Sequence, residues 1–403
     1  MVLWFSLFLW CHWCSADEPL GLFDCYRLAL KRSEQIEIQE ELIHQAEANF
    51  KRSFSGILPR VSYVFKELRE DGIGTTPERK WLVTQPLFRG FKEFAAMSGT
   101  RAFRKQREYE KERAEQLLFL DVSDAFYQRL EFKNDLKILI EIRKIVERQV
   151  RELGTWVRIG RSRPSELAMT KSQLKKIEAE ITKAKRLLAI SKEVLAFLTG
   201  VSIQSLSEER WEWNSSETVS DFLKAIRQRP DLLAKQEEIE VAKANLKAAR
   251  ADLFPTVSLE ANSYDERSGS KSKVDWDLLL TVDIPIFEGG EVWSKVKEQR
   301  SVYHQTELET QETRRQAESE VRSAYEQFQF SLAEQKALRE AVEASQENYL
   351  LQEQHYRLKL VTYLTVLSSL RDSHQAKREL NHVAYETKRG FWNLKVAGAS
   401  LDR

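Results

Sequence analysis

A long internal repeat runs through this chain. Residues 29–62 match residues 225–258 at a constant offset of 196, and the motif Leu58-Pro59-Arg60-Val61-Ser62 returns as Phe254-Pro255-Thr256-Val257-Ser258. A second match, from Pro86 and Pro285 onward, runs at an offset of 199. A period this long is far beyond that of a solenoid repeat. We therefore predict a tandem duplication in which each copy is built as one unit.

The change of offset places three extra residues between the proline landmarks of the second copy. The segments concerned, Glu70–Pro77 and Asp265–Val274, are polar and contain Gly, Ser or Pro. Such segments are typical of exposed loops, so we expect a loop at each place.

Composition points to long helices and away from nucleic acid. Only 14 glycines and 8 prolines occur in 403 residues, and the net charge is +1. Beyond the N-terminus, no apolar run approaches the roughly 20 residues of a membrane-spanning helix. We expect no helical span in the mature chain.

The N-terminus has the pattern of a secretion signal. Val2–Trp13 is almost wholly apolar, and Cys14-Ser15-Ala16 supplies small residues at a cleavage site, so residues 1–16 are predicted to be removed. Lipidation at Cys11 or Cys14 is the alternative, although a bulky tryptophan precedes each cysteine. Cleavage would leave Cys25 alone, which excludes an internal disulfide and predicts a small packing residue on a helix.

Apolar residues at helical spacing predict six helices. They run from Phe23 to about Gly56, Gly90 to about Arg158, Pro164 to Gly200, Asp221 to Leu253, Gly290 to about Leu358, and Tyr363 to Val396. A helix of close to seventy residues is about 100 Å long. The combined length of two shorter helices placed end to end equals that of one long helix, which predicts a rod about 100 Å long. We expect the segment that joins the two repeats, residues 201–220, to lie halfway along this rod. It includes Trp211, Trp213 and Asn214-Ser215-Ser216.

Period-two alternation predicts two β-hairpins, at residues 59–88 and 255–287, with strands of about ten residues. In the first hairpin, apolar Val61, Tyr63 and Phe65 alternate with polar neighbours. In the second hairpin, apolar Leu278, Leu280 and Val282 lie between the polar residues Asp277 and Asp283 with the same alternation. This length and pattern are typical of outer-membrane strands, with the apolar rows facing lipid. Glu260, Asn262, Asp277 and Asp283 would face a lumen. A hairpin packed on a soluble core would show the same alternation.

Four strands cannot close a barrel, and a sheet edge cannot stay unpaired in hydrocarbon. If the strands span a membrane, the chain must therefore oligomerise. Two copies would supply eight strands with a filled interior, and three would supply twelve with room for a lumen. The polar inward positions favour the wetter arrangement.

Three kinds of motif recur in order along the two repeats. They are the Ala-rich helix ending at Pro255, the strand exits Gln85-Pro86-Leu87-Phe88-Arg89-Gly90 and Ile284-Pro285-Ile286-Phe287-Glu288-Gly289-Gly290, and the turns Val157-Arg158-Ile159-Gly160 and Tyr356-Arg357-Leu358-Lys359. In these motifs the chain resembles the TolC family of outer-membrane efflux proteins. The resemblance covers nearly everything from Phe23 to Val396.

This resemblance implies a mainly α fold with a small β part. Three copies would form an α-helical barrel and a 12-stranded transmembrane β-barrel in the outer membrane of a Gram-negative bacterium, with a large periplasmic part. The protein would be a passive exit duct for efflux or type I secretion, docked by a periplasmic adaptor and an inner-membrane RND or ABC pump.

The resemblance also implies that the far helical turns, residues 158–166 and 357–365, dock the adaptor. The residues concerned are Arg158, Gly160, Arg161, Arg163, Glu166, Arg357, Lys359 and Thr365. Lys359 stands where the family usually has glycine, so we expect the second turn to differ in shape. With Arg151, the turns form a basic tip that suits an acidic adaptor surface; a merely solvated helix end is the alternative.

Outside the predicted signal segment, which contains the CxxC spacing of Cys11 and Cys14, no motif for nucleotide binding, metal binding by HExxH or CxxC, or nucleophilic catalysis is present, so neither enzymatic activity nor a cofactor is expected. His374 and His382 are a weak metal signal and are predicted to be surface or packing residues. Two other classes stay open: a periplasmic adaptor or other coiled-coil interaction protein without a channel, and a soluble structural coiled coil with no membrane role. The predicted domains are residues 17–200, a linker at 201–220, and residues 221–403.

Overall fold

The computed structural model describes residues 19–71, 74–208, 217–268 and 273–400, and these are mainly helical. The helices are α1 (Leu22–Arg32), α2 (Glu34–Phe54), α3 (Lys92–Arg158), α4 (Pro164–Thr199), α5 (Val219–Ala225), α6 (Pro230–Ala251), α7 (Glu291–Arg357) and α8 (Tyr363–Ala397). The strands are β1 (Arg60–Glu70), β2 (Gly74–Arg89), β3 (Thr256–Arg267) and β4 (Trp276–Asp283). The predicted signal segment lies outside the described residues.

The two longest helices, α3 and α7, have 67 residues each, and their ends lie 199 residues apart in the chain. The long helices predicted from Gly90 and Gly290 are therefore confirmed. Gly90 has φ 60°, and a Cβ there would lie 2.4 Å from the carbonyl oxygen of Ala251. Only glycine fits this approach, which fixes the point where β2 passes into α3.

Two of the predicted helices are each interrupted once. The first breaks at Ser33 (φ −71°, ψ 108°) and the second at Arg229 (φ −63°, ψ 131°), again 196 residues apart. Pro230 explains the second break, because proline disfavours helical backbone in the residue before it. Ser33 has no such neighbour, so the prediction of an unbroken helix was wrong there without a local warning.

The four strands form one antiparallel sheet in the order β1-β2-β3-β4. The predicted loops were too long, because β1 continues to Glu70, β2 already starts at Gly74 and β3 reaches Arg267. Pro77 pairs with Glu67 of β1, whereas the β2–β3 ladder begins only at Glu78. The missing N–H of Pro77 therefore removes no hydrogen bond from the β2–β3 ladder.

The chain divides into two compact units, and each takes segments from both sequence repeats. The first comprises residues 1–34, 115–224 and 320–403, and the second comprises residues 35–114 and 225–319. The repeat boundaries predicted from sequence thus differ from the boundaries of compactness, and the tandem division stays a prediction.

The core of the first unit surrounds Cys25 and Phe119, both of which are fully buried. Leu20 forms a parallel bridge with Leu206, and Arg129 donates hydrogen bonds to the carbonyl oxygens of Ile203 (2.8 Å) and Gln204 (3.1 Å). These contacts hold the first residues of the predicted linker. Its tryptophans and the Asn214-Ser215-Ser216 motif lie outside the described residues.

The second unit holds the sheet and a small core of Leu246, Ala249 and Val296. Across the described ranges, no helix carries an apolar stretch of the length that a bilayer crossing requires.

Candidate functional site

Two turns end the helices α3 and α7 with the same hydrogen bonds. The backbone pairs are Gly160 N to Val157 O (3.1 Å) and Arg161 N to Trp156 O (2.7 Å) in the first turn, and Lys359 N to Tyr356 O (2.9 Å) and Leu360 N to His355 O (2.9 Å) in the second. This pairing is that of a Schellman motif, in which the residue after the helix adopts a left-handed backbone. The expectation that the second turn differs in shape was therefore wrong.

The residue at the left-handed position differs between the two turns. Gly160 has φ 71° and Lys359 has φ 63°. Left-handed backbone suits glycine, whereas a residue with a Cβ is disfavoured there by about 1 to 2 kcal/mol. The second turn thus keeps its shape at the expense of strain at Lys359.

Cations are exposed around both turns. Arg357 pairs with Glu353 at 3.0 Å, and Arg158 donates weakly to the carbonyl oxygen of Gly154 at 3.4 Å. Arg161, Arg163 and Lys359 are exposed and make no ion pair with any other described residue. The turns also expose the large apolar side chains of Ile159, Leu358, Leu360 and Leu364, each at least 59% exposed. Positive charge and apolar surface therefore lie together.

Glu166 differs from these residues, because it is engaged within the fold. One carboxylate oxygen accepts hydrogen bonds from Ser162 Oγ (2.5 Å) and from the Tyr356 hydroxyl (2.9 Å). Glu166 therefore ties the start of α4 to the end of α7. The N-cap residue of α4, Arg163, makes no side-chain cap bond. Thr365, the counterpart of Glu166, pairs with Thr362 at 3.1 Å.

A layer of aromatic residues behind the turns was missed by the sequence analysis. Gln149 donates to the Tyr349 hydroxyl (3.1 Å) and accepts from the Tyr363 hydroxyl (3.2 Å). Burial raises the pKa of Tyr349 and of Tyr363 to about 12, so both stay neutral hydrogen-bonding groups. The spacing of seven residues between Tyr349 and Tyr356 was the available signal, because it places both side chains on one seam of α7. Tyr363 lies beyond the turn, as the first residue of α8.

The predicted lipid-facing residues share one face of the sheet. The ladder pairs Tyr63 with Trp81, Trp81 with Ser263, and Ser263 with Trp276, and cross-strand partners point to the same side. Alternation therefore gathers Val61, Tyr63, Phe65, Leu278, Leu280 and Val282 on this face, each at least 47% exposed. We call it the apolar face.

The opposite face, the polar face, carries the predicted lumen residues Glu260, Asn262, Asp277 and Asp283. Asp277 accepts hydrogen bonds from Asn262 Nδ2 (2.7 Å) and the Tyr264 hydroxyl (2.8 Å), with Arg267 at 3.4 Å. Asp283 lies opposite Thr256 and is exposed. The structure thus joins Asn262 to Asp277, while the other two acidic residues stay separate. Leu279 also lies on this face, which is therefore not uniformly polar.

The two histidines considered for metal binding lie on α8. His382 Nδ1 is 2.8 Å from a carboxylate oxygen of Glu131, and His374 lines a cavity of about 960 Å³ in the first unit. Among the described residues, no group of three or more His, Cys, Asp or Glu side chains is placed to hold a metal ion.

Comparison with known proteins finds relatives among outer membrane efflux and secretion proteins. A family model described as "Outer membrane efflux protein" matches residues 223–397. The "Probable efflux pump outer membrane protein TtgC" of Pseudomonas putida is 25% identical over 278 residues, covering 65% of this chain and 56% of that protein. The "Proteases secretion protein PrtF" of Dickeya chrysanthemi is 21% identical over 416 residues, covering 96% and 89%. The chain is therefore similar to outer membrane efflux proteins, with the family model matching its second half and PrtF matching nearly its whole length.

A solved structure shares the whole architecture. The channel CusC matches with a TM-score of 0.84 and 17% identity over 94% of this chain and 91% of that one. At this identity the match shows the fold, which confirms the predicted mainly helical class with a small sheet. The names of the relatives support the predicted location in the outer membrane, and the matched structures are described as channels. The chain matches little more than half the length of TtgC.

Proposed function

We propose that this protein is a passive exit duct, formed by three copies, for a tripartite efflux or type I secretion system. The observation that carries the proposal is a four-stranded sheet with one apolar face and one polar face, at whose ends β1 and β4 have unpaired edges. The proposal assigns the apolar face to lipid and the polar face to a water-filled lumen.

The dimensions of the apolar face support a membrane location. Along β4, the apolar row from Trp276 to Val282 spans about 20 Å at 3.3 to 3.4 Å per residue, close to the roughly 25 Å apolar band of outer-membrane barrels. Aromatic side chains flank the row. Trp276 is 70% exposed at one end, and Phe91, Phe254 and Phe287 are exposed where the strands adjoin the helices. Aromatic girdles of this kind mark both interfaces of a membrane barrel.

The free edges support oligomerisation. An unpaired edge in hydrocarbon leaves N–H and C=O groups without partners, which costs several kcal/mol per group. Because the strands alternate in direction, β4 of one copy is antiparallel to β1 of the next, so the existing pairing pattern can continue across copies. Three copies supply twelve strands, enough for a lumen.

The basic turns support docking of a periplasmic adaptor, which an inner-membrane RND or ABC pump would join. The exposed cations would attract an acidic adaptor over a distance, and the exposed leucines beside them provide apolar surface that the adaptor could bury. The names of the relatives cover both an efflux pump and protease secretion. The duct holds no candidate catalytic group in its described residues, and the pump would select the cargo.

Charge reversal at the first turn tests the docking step. We expect Arg158→Asp with Arg161→Asp to reduce export several-fold in a strain that depends on this chain, because an acidic adaptor would be repelled. The amount of assembled protein in the outer membrane should not change, since both side chains are exposed.

The matched control is Lys185→Asp with Arg186→Asp, which reverses two exposed charges on α4 away from the turns. Export by this variant should equal that of the wild type. Normal export by the Arg158 and Arg161 variant would contradict docking through the basic turns and return them to solvated helix ends. A wild-type chain that fractionates away from the outer membrane would contradict the channel itself.

A further inference from the structure

We propose that Lys359 is a specificity-determining contact for an acidic helical segment of the partner protein, and that its charge is the reason a residue other than glycine occupies this turn. The inference rests on the proposed function, because it names the chemistry of the surface that docks on the turns.

The turn itself does not need a lysine. Every hydrogen bond that shapes it is made by the backbone, and the first turn forms the same bonds with Gly160. The Lys359 side chain is exposed and makes no ion pair or hydrogen bond with another described residue. A strained residue that gains nothing inside the fold is a candidate for a role outside it.

The surroundings of Lys359 define what it can bind. Leu358 and Leu360, on either side in sequence, are each 69% exposed, and Leu364 in the first turn of α8 is 60% exposed. The nearest acidic group along α7, Glu353, is already paired with Arg357. A lone cation among apolar side chains is complementary to a carboxylate with apolar neighbours.

A helix is the element that best presents such a set. Residues three and four apart on a helix lie on one face, so a single Asp or Glu can be flanked by apolar residues above and below it. Burial of the apolar contacts would remove water from the ion pair and strengthen its contribution to specificity. An anionic lipid surface could also attract a lysine among leucines, so capture of phospholipid at this position would count against the proposal.

Photocrosslinking in cells tests this proposal with the full-length chain. A photoreactive residue is placed at Leu360 in four backgrounds: unchanged, Lys359→Arg, Lys359→Gly and Lys359→Glu. We expect the unchanged and arginine chains to capture one protein through an acidic helical peptide. We expect the yield to fall about tenfold in the glycine and glutamate chains, which corresponds to about 1.4 kcal/mol.

A second measurement separates binding from folding. Lys359→Gly should resist thermal dissociation at least as well as the unchanged chain, because glycine relieves the left-handed strain. Lys185→Ala, which removes an exposed lysine of α4, is the control and should leave the crosslinking yield unchanged.

The outcomes distinguish this proposal from the proposed function. Equal capture of the same protein by the glycine and unchanged chains would overturn the role of Lys359 while leaving docking intact. A product containing phospholipid, or a captured peptide without acidic residues, would overturn the class of partner. Absence of any captured protein together with loss of outer-membrane location would instead overturn the proposed function.

Discussion

Lys359 and Gly160 occupy equivalent positions, and both adopt the left-handed backbone that closes a helix. The sequence predicted a different shape for the second turn, because Lys359 stands where the TolC family usually has glycine. The backbone hydrogen bonds of the flanking helix outweighed the preference for glycine at this position. A cost of about 1 to 2 kcal/mol is small against the packing that fixes both helices.

The sequence did not show which charged residues are buried, and Arg229 with Asp231 is an example. Arg229 is 2% exposed and donates to Asp231 through two nitrogens, at 3.0 and 2.6 Å. Burial alone would raise the pKa of Asp231, but the hydrogen bonds and charge of Arg229, with Arg113 nearby, hold it below its usual value. Neither residue stood out from the other charged residues of the chain.

His374 should make the stability of the protein depend on pH. Burial, with the positive charge of Lys377, lowers the pKa of His374 from 6.5 to about 4. Between these values the unfolded chain binds a proton that the folded chain does not, so the free energy of unfolding should fall as pH drops from about 6.5 to about 4. The loss should reach at most about 3 kcal/mol.

Thermal or denaturant unfolding of His374→Gln over this pH range checks the effect, because the variant should have a flatter profile than the wild type. His374 shares its cavity with other titratable or charged groups that can contribute to the pH dependence: Glu131, Asp135, Glu180, Lys183, Glu334, Arg371, Arg378, Glu379 and His382. His44→Gln, at an exposed histidine of α2, is the control and should keep the wild-type profile. Identical profiles for His374→Gln and the wild type would show that His374 does not carry the dependence.

Periodicity predicted the long helices well, because α3 and α7 each run as one continuous helix of 67 residues. The strands and their two faces were also predictable from alternation. Strand ends were not, because pairing between neighbours extended β1 and β2 into a segment whose composition is typical of loops. The aromatic layer behind the turns could not be read locally, since it joins Gln149 to residues 200 and 214 positions away.

The apolar face of the sheet can be tested at Leu280, which is 60% exposed and lies midway along β4. If this face meets lipid, Leu280→Arg should destabilise the inserted protein by about 2 to 4 kcal/mol near the bilayer midplane. We expect a marked loss of assembled protein from the outer membrane, measured by fractionation and by resistance to dissociation in detergent.

The neighbouring residue supplies the control for this substitution. Thr281 is also exposed but points to the polar face, so Thr281→Arg should assemble at the wild-type level. Normal assembly of Leu280→Arg, or equal damage from both substitutions, would mean that the two faces have been assigned the wrong way or that neither meets lipid.

In the whole molecule, the boundaries of the two sequence repeats differ from the boundaries of the two compact units. Each compact unit combines segments of both repeats, because α3 and α7 each pass from the second unit into the first. A repeat of this kind cannot fold as a sequence-local domain. The predicted division into residues 17–200 and 221–403 therefore does not coincide with the two compact units.

The central claim is that three copies close one sheet through the edges of β1 and β4. A cysteine pair that joins these edges tests it most directly, with Ser62→Cys on β1 and Asp277→Cys, Leu279→Cys or Thr281→Cys on β4, in a Cys25→Ala background. Side chains of neighbouring strands on the same face approach within about 5.5 Å, so one of the three pairs should lie within reach of a disulfide.

The species are read by denaturing, non-reducing electrophoresis of outer membranes, with Ser62→Cys alone as the control. We predict that one pair yields covalent species of one, two and three copies and nothing larger, while the control stays monomeric. Absence of intermolecular species at all three positions, or a ladder that continues beyond three copies, would contradict the closed trimer.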